Sequence, residues 1–336
     1  MIAAARDSAI EIGLIGGSGF IGSALVKILL DRGYKVRILD IAQPLPSSAA
    51  AEYRYSDVRD LSLLTKTLQG CKLVINLAAK HRDDVRPVSL YHEVNVLGAE
   101  NVCNAAVALG IDDIIFTSSV AVYGFPRGEP DEESPPNPFN HYGKTKREAE
   151  GVYRAWQNGA LEKRRLEIVR PTVVFGPGNR GNVYNLLAQL TRPRFVMVGK
   201  GTNRKSMAYV CNIAAYLMFL IEADHSPGAY LYNYCDTPAY SMNELLYEVR
   251  TALKKPTEPS IRLPYAVGIA IGATFDLAAL TLGRTFAVSK VRVQKFCANT
   301  VFSSKRVQSS GFTPPYDLRQ ALHRTIAIEF SPEQTV

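Results

Sequence analysis

Tyr142 and Lys146 lie four positions apart in Tyr142-Gly143-Lys144-Thr145-Lys146, so a helix there sets a phenol and an ammonium on one face. A free tyrosine titrates at about pH 10, too high for a base at neutral pH, but a neighbouring ammonium and a positively charged nicotinamide both favour the phenolate. Lys146 is therefore expected to activate Tyr142 and to hold the nicotinamide ribose. About 20 residues upstream, Ile115-Phe116-Thr117-Ser118-Ser119 reads as a strand ending in hydroxyls, the kind of strand end where open α/β sheets bind ligands. Ser119 can hydrogen-bond the substrate oxygen that Tyr142 serves, with Thr117 on the cofactor side and Val120 on the substrate side. The chemistry implied is proton movement through Tyr142 accompanied by hydride transfer.

A cofactor for that hydride has its own signature. Gly16, Gly19 and Gly22 fall at the spacing GxxGxxG, between a short apolar run and a segment of helical periodicity. Glycines at this spacing permit a tight turn, close approach of backbone to a pyrophosphate, and close packing of helix on strand. The turn runs on through Phe20 and Ile21, and its backbone donors are the expected pyrophosphate contacts. Asp40, ending the second strand, can accept hydrogen bonds from the adenosine ribose and would repel a 2'-phosphate, which favours NAD over NADP. Asp57-Val58 follows the third strand region, where a carboxylate can reach the adenine amino group.

The elements that carry these residues alternate. Apolar runs at 10–15, Lys35 to Leu39, Leu73 to Leu77, Ile114 to Thr117 and Leu166 to Val169 read as strands, with helices filling the gaps. Phe20 to Asp31 is one such helix, closed by Gly33. The expected fold class is α/β, a Rossmann-type doubly wound parallel sheet with a smaller C-terminal substrate-binding lobe. The expected boundaries are 1–170 for the cofactor domain, with 205–224 returning to it, and 171–204 plus 225–336 for the second lobe. In that lobe Val196-Met197-Val198 and Leu231-Tyr232-Asn233-Tyr234 are further strand candidates.

Composition sets the remaining bounds. At 336 residues and 47% hydrophobic the chain is globular, with enough apolar sequence for a large core. The net charge of +8 is spread without a basic run or a nucleic-acid-binding signature, so it suits anionic small molecules and no nucleic acid. Five cysteines without a CxxC pair point to a reducing, cytoplasmic setting and no metal site. The N-terminal stretch, interrupted by Arg6, Asp7 and Glu11, lacks a signal-peptide layout. Leu263 to Leu282 is apolar, but Pro264, Gly268, Gly272 and Asp276 argue against a transmembrane span. It is expected to form one or two buried helices; the sharper alternative is a face resting weakly on a membrane surface, helped by Arg262, Arg284 and Lys290.

Taken together, GGSGFIG at 16–22, DVRD at 57–60, NLAA at 76–79, NVLGAENV at 95–102, FTSSVAVYG at 116–124, YGKTK at 142–146 and RPTVVFGPGN at 170–179 resemble the extended short-chain dehydrogenase/reductases, in their nucleotide-sugar epimerase/dehydratase branch. The resemblance implies that Leu77, Ala78 and Ala79 line the cofactor groove, that Asn95 braces the central strands, and that Pro171 touches the nicotinamide end. It also implies a homodimer through a four-helix bundle from helices near 90–109 and 142–158. Dehydratases of the branch carry Asp-Glu where this chain has Val120-Ala121, so elimination of water is not expected. Arg204 or Lys205 is the nearest match to the branch's basic residue for the sugar-nucleotide phosphates, with Arg292 as a second clamp and Asn182 as a further substrate contact.

The leading expectation is a UDP-hexose or UDP-N-acetylhexosamine 4-epimerase with tightly held NAD. A 4-keto reductase making a 6-deoxy-N-acetylhexosamine nucleotide uses the same residues but releases its oxidised cofactor each cycle. A sterol-type 3-hydroxy dehydrogenase and a non-catalytic NAD-binding protein complete the alternatives.

Overall fold

Seven parallel strands form one sheet in the order Gly228–Tyr234, β6 (Arg165–Pro171), β5 (Asp113–Thr117), β4 (Leu73–Asn76), β1 (Glu11–Ile15), β2 (Lys35–Asp40) and β3 (Glu52–Tyr55). The computed structural model describes residues 10–82, 84–125, 128–224, 226–259, 261–282 and 289–330, with side chains absent from the description at 277–282. Strands β1 and β4 are neighbours although they are far apart in sequence, so the chain reverses its winding between them. Loops diverge at such a switch point and leave a crevice at the carboxyl ends of the strands. The turn at Gly16 follows β1 and Leu77 follows β4, which brings both to that crevice.

Helices cover both faces, so the central strands are buried and mostly apolar: β4 is buried at every residue. On one face α1 (Phe20–Asp31) packs with the helix Val210–Glu222, through Leu25, Leu29, Ile213 and Leu217. On the other, α2 (Leu61–Leu68), α4 (Gly98–Leu109) and α5 (His141–Asn158) bury Leu64, Leu68, Val102, Tyr153 and Trp156. A short α3 (Ser89–His92) leads into α4 through one wide turn, Glu93–Leu97.

The chain divides into two compact units. The larger comprises Met1–Val174, Ala208–Cys235 and Phe302–Pro315; the smaller comprises Phe175–Met207, Asp236–Val301 and Tyr316–Val336. This corrects the expected boundaries, which put 225–336 wholly in the second lobe. Gly228–Tyr234 pairs with β6 along its full length, from Gly228 opposite Arg165 to Tyr234 opposite Pro171, and is the seventh strand of the sheet. Its tyrosines at alternate positions face the aromatic cluster of Tyr216 and Phe312, while Leu231 and Asn233 are buried on the opposite face of this edge strand.

The smaller unit pairs Val196–Val198 with Ile261–Leu263 and Arg204–Lys205 with Tyr240–Ser241. Its helix Met242–Ala252 starts in a reciprocal cap, Ser241 accepting from Glu244 N while the Glu244 carboxylate accepts from Ser241 N. The expectation of buried helices at 263–282 is also corrected. One helix, Tyr265–Leu282, runs through the segment with only Gly268 and Gly272 buried among its described side chains and glycines, while Tyr265, Val267, Ile271 and Phe275 are exposed. No helix among the described residues is long and apolar enough to cross a membrane. Arg6, Asp7 and Arg284 lie outside the described residues.

Candidate active site

Asn140 starts α5 by accepting from Gly143 N at 2.9 Å, and the helix then carries Tyr142 and Lys146 on one face. Tyr142 is half-buried, with the Ser119 side chain near enough to its hydroxyl to act on its titration. Burial raises the phenol's pKa and the Ser119 hydroxyl lowers it. Ser119 stands just past β5 and also accepts from Ala121 N at 3.1 Å, which fixes its Oγ. Gly143 makes this meeting possible: a Cβ there would stand 2.4 Å from the Ala121 carbonyl oxygen. Without a side chain at 143, α5 can lie against the turn Val120–Tyr123 that follows Ser119.

Lys146 is 1% exposed and donates from Nζ to the Thr117 carbonyl at 2.7 Å, with the Phe116 ring centroid 4.6 Å away. Burial lowers its pKa to about 7, opposed by the Glu150 carboxylate one turn further on. The ammonium's hydrogen bond thus goes to the strand end, so any influence on Tyr142 is through space. Thr117 Oγ1 donates to the Asn76 carbonyl at 3.2 Å, tying β5 to β4 at the crevice.

A buried network absent from the sequence reading lies behind Lys146. Arg170 on β6 grips Glu150 with two hydrogen bonds, at 2.8 Å from Nε and 2.5 Å from Nη2. Glu150 also accepts from Ser118 Oγ, and Arg170 donates to the Tyr123 hydroxyl at 2.6 Å, which donates to Asn233 at 2.9 Å. Ser118 and Ser119 are consecutive in an extended chain and so serve opposite sides, one holding the network and the other meeting Tyr142. The available signal was the spacing of Glu150 one turn after Lys146 and a charged Arg170 inside an apolar strand.

At the crevice the glycines are sterically required. Gly16 has φ +76, and a Cβ on it would stand 2.7 Å from Ala78 N; one on Gly22 would stand 2.6 Å from the Gly16 carbonyl oxygen. The α1 N-terminus, capped by Gly19, has no side-chain cap and no acidic residue in its first turn. Its open N–H groups, running through Phe20 and Ile21, suit a pyrophosphate. The Asp40 carboxylate accepts from Ser18 N and Ala42 N, both at 3.0 Å, which locks it beside the glycine turn with lone pairs to spare for a ribose. These residues fit a dinucleotide.

Other expected positions have prior commitments. Asp57 is gripped by Arg59, which holds its carboxyl below the usual range, and the Val58 carbonyl accepts from Asn101 at 2.8 Å. Leu77 N donates to the Ile15 carbonyl at 2.9 Å and Ala78 N to Asn76 at 3.0 Å, so Leu77, Ala78 and Ala79 form a tightly held loop over the switch point. Asn95 is buried and bonds Lys80 N, the Lys80 carbonyl and Thr145, so it braces that loop against α5 instead of the central strands. Pro171 is buried at the end of β6, and Val120 is 9% exposed.

In the smaller unit Asn182 is the exposed first residue of the helix Asn182–Leu190. Lys205 departs from its expected role: its ammonium is half-buried on the carbonyls of Lys295 and Ala298, at 2.9 and 2.7 Å. Burial lowers its pKa to about 8. Arg204 is exposed, 3.8 Å from Glu244, and Arg292 is exposed on the helix Lys290–Cys297. All five cysteines are free, and no cluster of metal-ligating side chains occurs among the described residues.

Comparison with known proteins meets this geometry. Residues 12–233 match the family described as "NAD dependent epimerase/dehydratase family". An N-acetyl-alpha-D-glucosaminyl-diphospho-ditrans,octacis-undecaprenol 4-epimerase from Escherichia coli O157:H7 is 48% identical over 94% of each chain. A UDP-glucose 4-epimerase from Vibrio cholerae is 28% identical over 73% of this chain and 76% of its own. The structure of MoeE5 in complex with UDP-glucuronic acid and NAD superposes with a TM-score of 0.73 at 24% identity, covering 95% of this chain and 98% of that one, which shows a shared fold.

Proposed function

From the premise that this chain belongs to the NAD-dependent epimerase/dehydratase family, we propose that it inverts carbon 4 of an N-acetylhexosamine joined through a diphosphate to a polyprenol. The reading rests foremost on Tyr142 and Lys146 sharing one face of α5, with Ser119 near enough to the phenol to lower its pKa. The carrier and the sugar follow the relative at 48% identity, whose own substrate is such a lipid. A UDP carrier, expected from the sequence, offers the same diphosphate at carbon 1. NAD would supply the hydride acceptor and donor for carbon 4.

Tyr142 takes the proton of the carbon-4 hydroxyl as that carbon is oxidised, and Ser119 holds the same oxygen. Once the 4-keto sugar has turned over, Tyr142 would give the proton back to the oxygen as carbon 4 is reduced on its other face. No net oxidation results. Lys146 supplies positive charge near the phenolate and a donor for the cofactor ribose. Gly16, Gly19, Phe20, Ile21 and Gly22 receive the pyrophosphate, Asp40 the adenosine ribose, and Asp57 with Val58 the adenine, beside Leu77, Ala78, Ala79, Thr117 and Pro171. Arg204 and Arg292 keep their proposed role toward the diphosphate, and Lys205, already committed to two carbonyls, loses it. Val120-Ala121 lacks the acid and base of a dehydratase, which argues against elimination.

We also read the protein as a cytoplasmic homodimer, built on α4 and α5; the exposed Leu97 and Val107 and the free cysteines support this. The function is tested by incubating purified protein with N-acetylglucosaminyl diphospho-polyprenol and with UDP-N-acetylglucosamine, with and without added NAD(P)H. Conversion to the 4-epimer of the lipid-linked sugar without added cofactor is expected. Strict need for stoichiometric reduced cofactor would establish a reductase instead, and turnover of the UDP sugar alone would reject the lipid carrier.

A further inference from the structure

Among its described side chains, the outward side of the helix Tyr265–Leu282 is apolar where a surface helix is ordinarily charged. Tyr265, Val267, Ile271 and Phe275 are exposed to 47%, 42%, 38% and 38%, and Ala266, Ala270, Ala273 and Thr274 are exposed beside them. Val267, Ile271 and Phe275 recur every fourth residue and so form one stripe. The inward side is already satisfied. A Cβ on Gly268 would meet Val198 at 2.4 Å and one on Gly272 would meet the Lys290 backbone at 2.7 Å, so these glycines seat the helix hard against its neighbours. Asp276, the acidic residue of this helix, accepts from Lys290 N at 3.0 Å and is drawn to that seam.

The surroundings are basic. Arg262 precedes the helix, and the adjoining helix Lys290–Cys297 exposes Lys290, Arg292 and Lys295. The described residues of 261–282 and 289–300 thus hold four basic side chains against one acidic. An apolar stripe flanked by cations, on a helix interrupted by Gly268, Gly272 and Asp276, fits a surface of apolar acyl chains beneath anionic headgroups.

We propose that this helix docks the protein on an anionic lipid bilayer, with Val267, Ile271 and Phe275 entering the acyl boundary and Arg262, Lys290 and Lys295 on the side of the lipid phosphates. The proposal rests on the reading that the substrate sugar rides on a polyprenol, which resides in the same bilayer. Docking would confine enzyme and substrate to one surface.

The test is flotation of the full chain with vesicles of phosphatidylcholine, alone or mixed with phosphatidylglycerol, at low and high salt. Wild type is expected to float with the mixed vesicles and to lose about tenfold in binding to pure phosphatidylcholine or at high salt. The variant Val267→Ser/Ile271→Ser/Phe275→Ser, and separately Ala270→Glu, which removes no contact, are each expected to bind mixed vesicles about tenfold less. Unchanged binding by Ala270→Glu, or no flotation of wild type, overturns the proposal. Loss of self-association in that variant, seen by light scattering, together with unchanged vesicle binding, would give the face to a second copy of this chain. Turnover of a water-soluble short-prenyl substrate separates the two readings. If Ala270→Glu keeps that turnover and loses flotation, docking stands on its own; if wild type floats but turns over no lipid-linked sugar, the functional reading fails and docking survives.

Discussion

Lys146 points its ammonium at the carbonyl of Thr117, 2.7 Å away, inside a helix whose next turn carries the Glu150 carboxylate. Burial brings its pKa from 10.5 down to about 7, and Glu150 limits the fall. Between these values the unfolded chain binds a proton that the folded chain does not, so stability rises with pH through that window. It is lost again as pH falls toward the folded value. Relative to Lys146→Met, the wild-type protein without cofactor should therefore gain stability between about pH 7 and pH 9, read from urea midpoints of both proteins. A constant difference across that range would mean the lysine titrates normally.

Tyr142→Phe removes the proton carrier and leaves the ring. Turnover should fall by about two orders of magnitude or more while NAD binding, followed by calorimetry, is kept. Near-normal turnover would contradict the role assigned to the phenol.

Gly143→Ala tests the seating of α5 without touching a reacting group. Its new methyl would press on the Ala121 carbonyl oxygen, at 2.4 Å, and separate Tyr142 from Ser119. A displacement of about 1 Å can cost about a hundredfold in rate, so a large loss of kcat with a smaller loss of thermal stability is expected. If kcat is unchanged, close contact at this glycine has no bearing on the reaction.

Glu150→Ala would strand the Arg170 guanidinium, whose side chain is 4% exposed, without its carboxylate. Removing one partner of such a pair costs about 3–5 kcal/mol, whereas replacing both by apolar residues is often neutral. Glu150→Ala alone should thus lower the unfolding midpoint sharply, and Glu150→Met with Arg170→Leu should recover most of it. Equal losses in the two variants would show that Ser118 and Tyr123 depend on the charges themselves.

Local patterns carried much of this protein. Glycine spacing, strand and helix alternation and the four-residue step from Tyr142 to Lys146 are properties of short segments, so β1, α1, β2, β4, β5 and β6 fall within a residue or two of their expected positions. The rest depended on partners distant in the chain. Gly228–Tyr234 read as part of a second lobe because its alternating tyrosines say only that one side is buried, and β6 decides which sheet receives it. Lys205 looked like a phosphate ligand until the fold brought the carbonyls of Lys295 and Ala298 to it across about 90 residues. Glu150 and Arg170 are two ordinary charges until α5 and β6 bury them together. The apolar run at 263–282 was plain in sequence, but whether such a run is core or surface depends on what packs over it, and most described side chains of that helix are exposed.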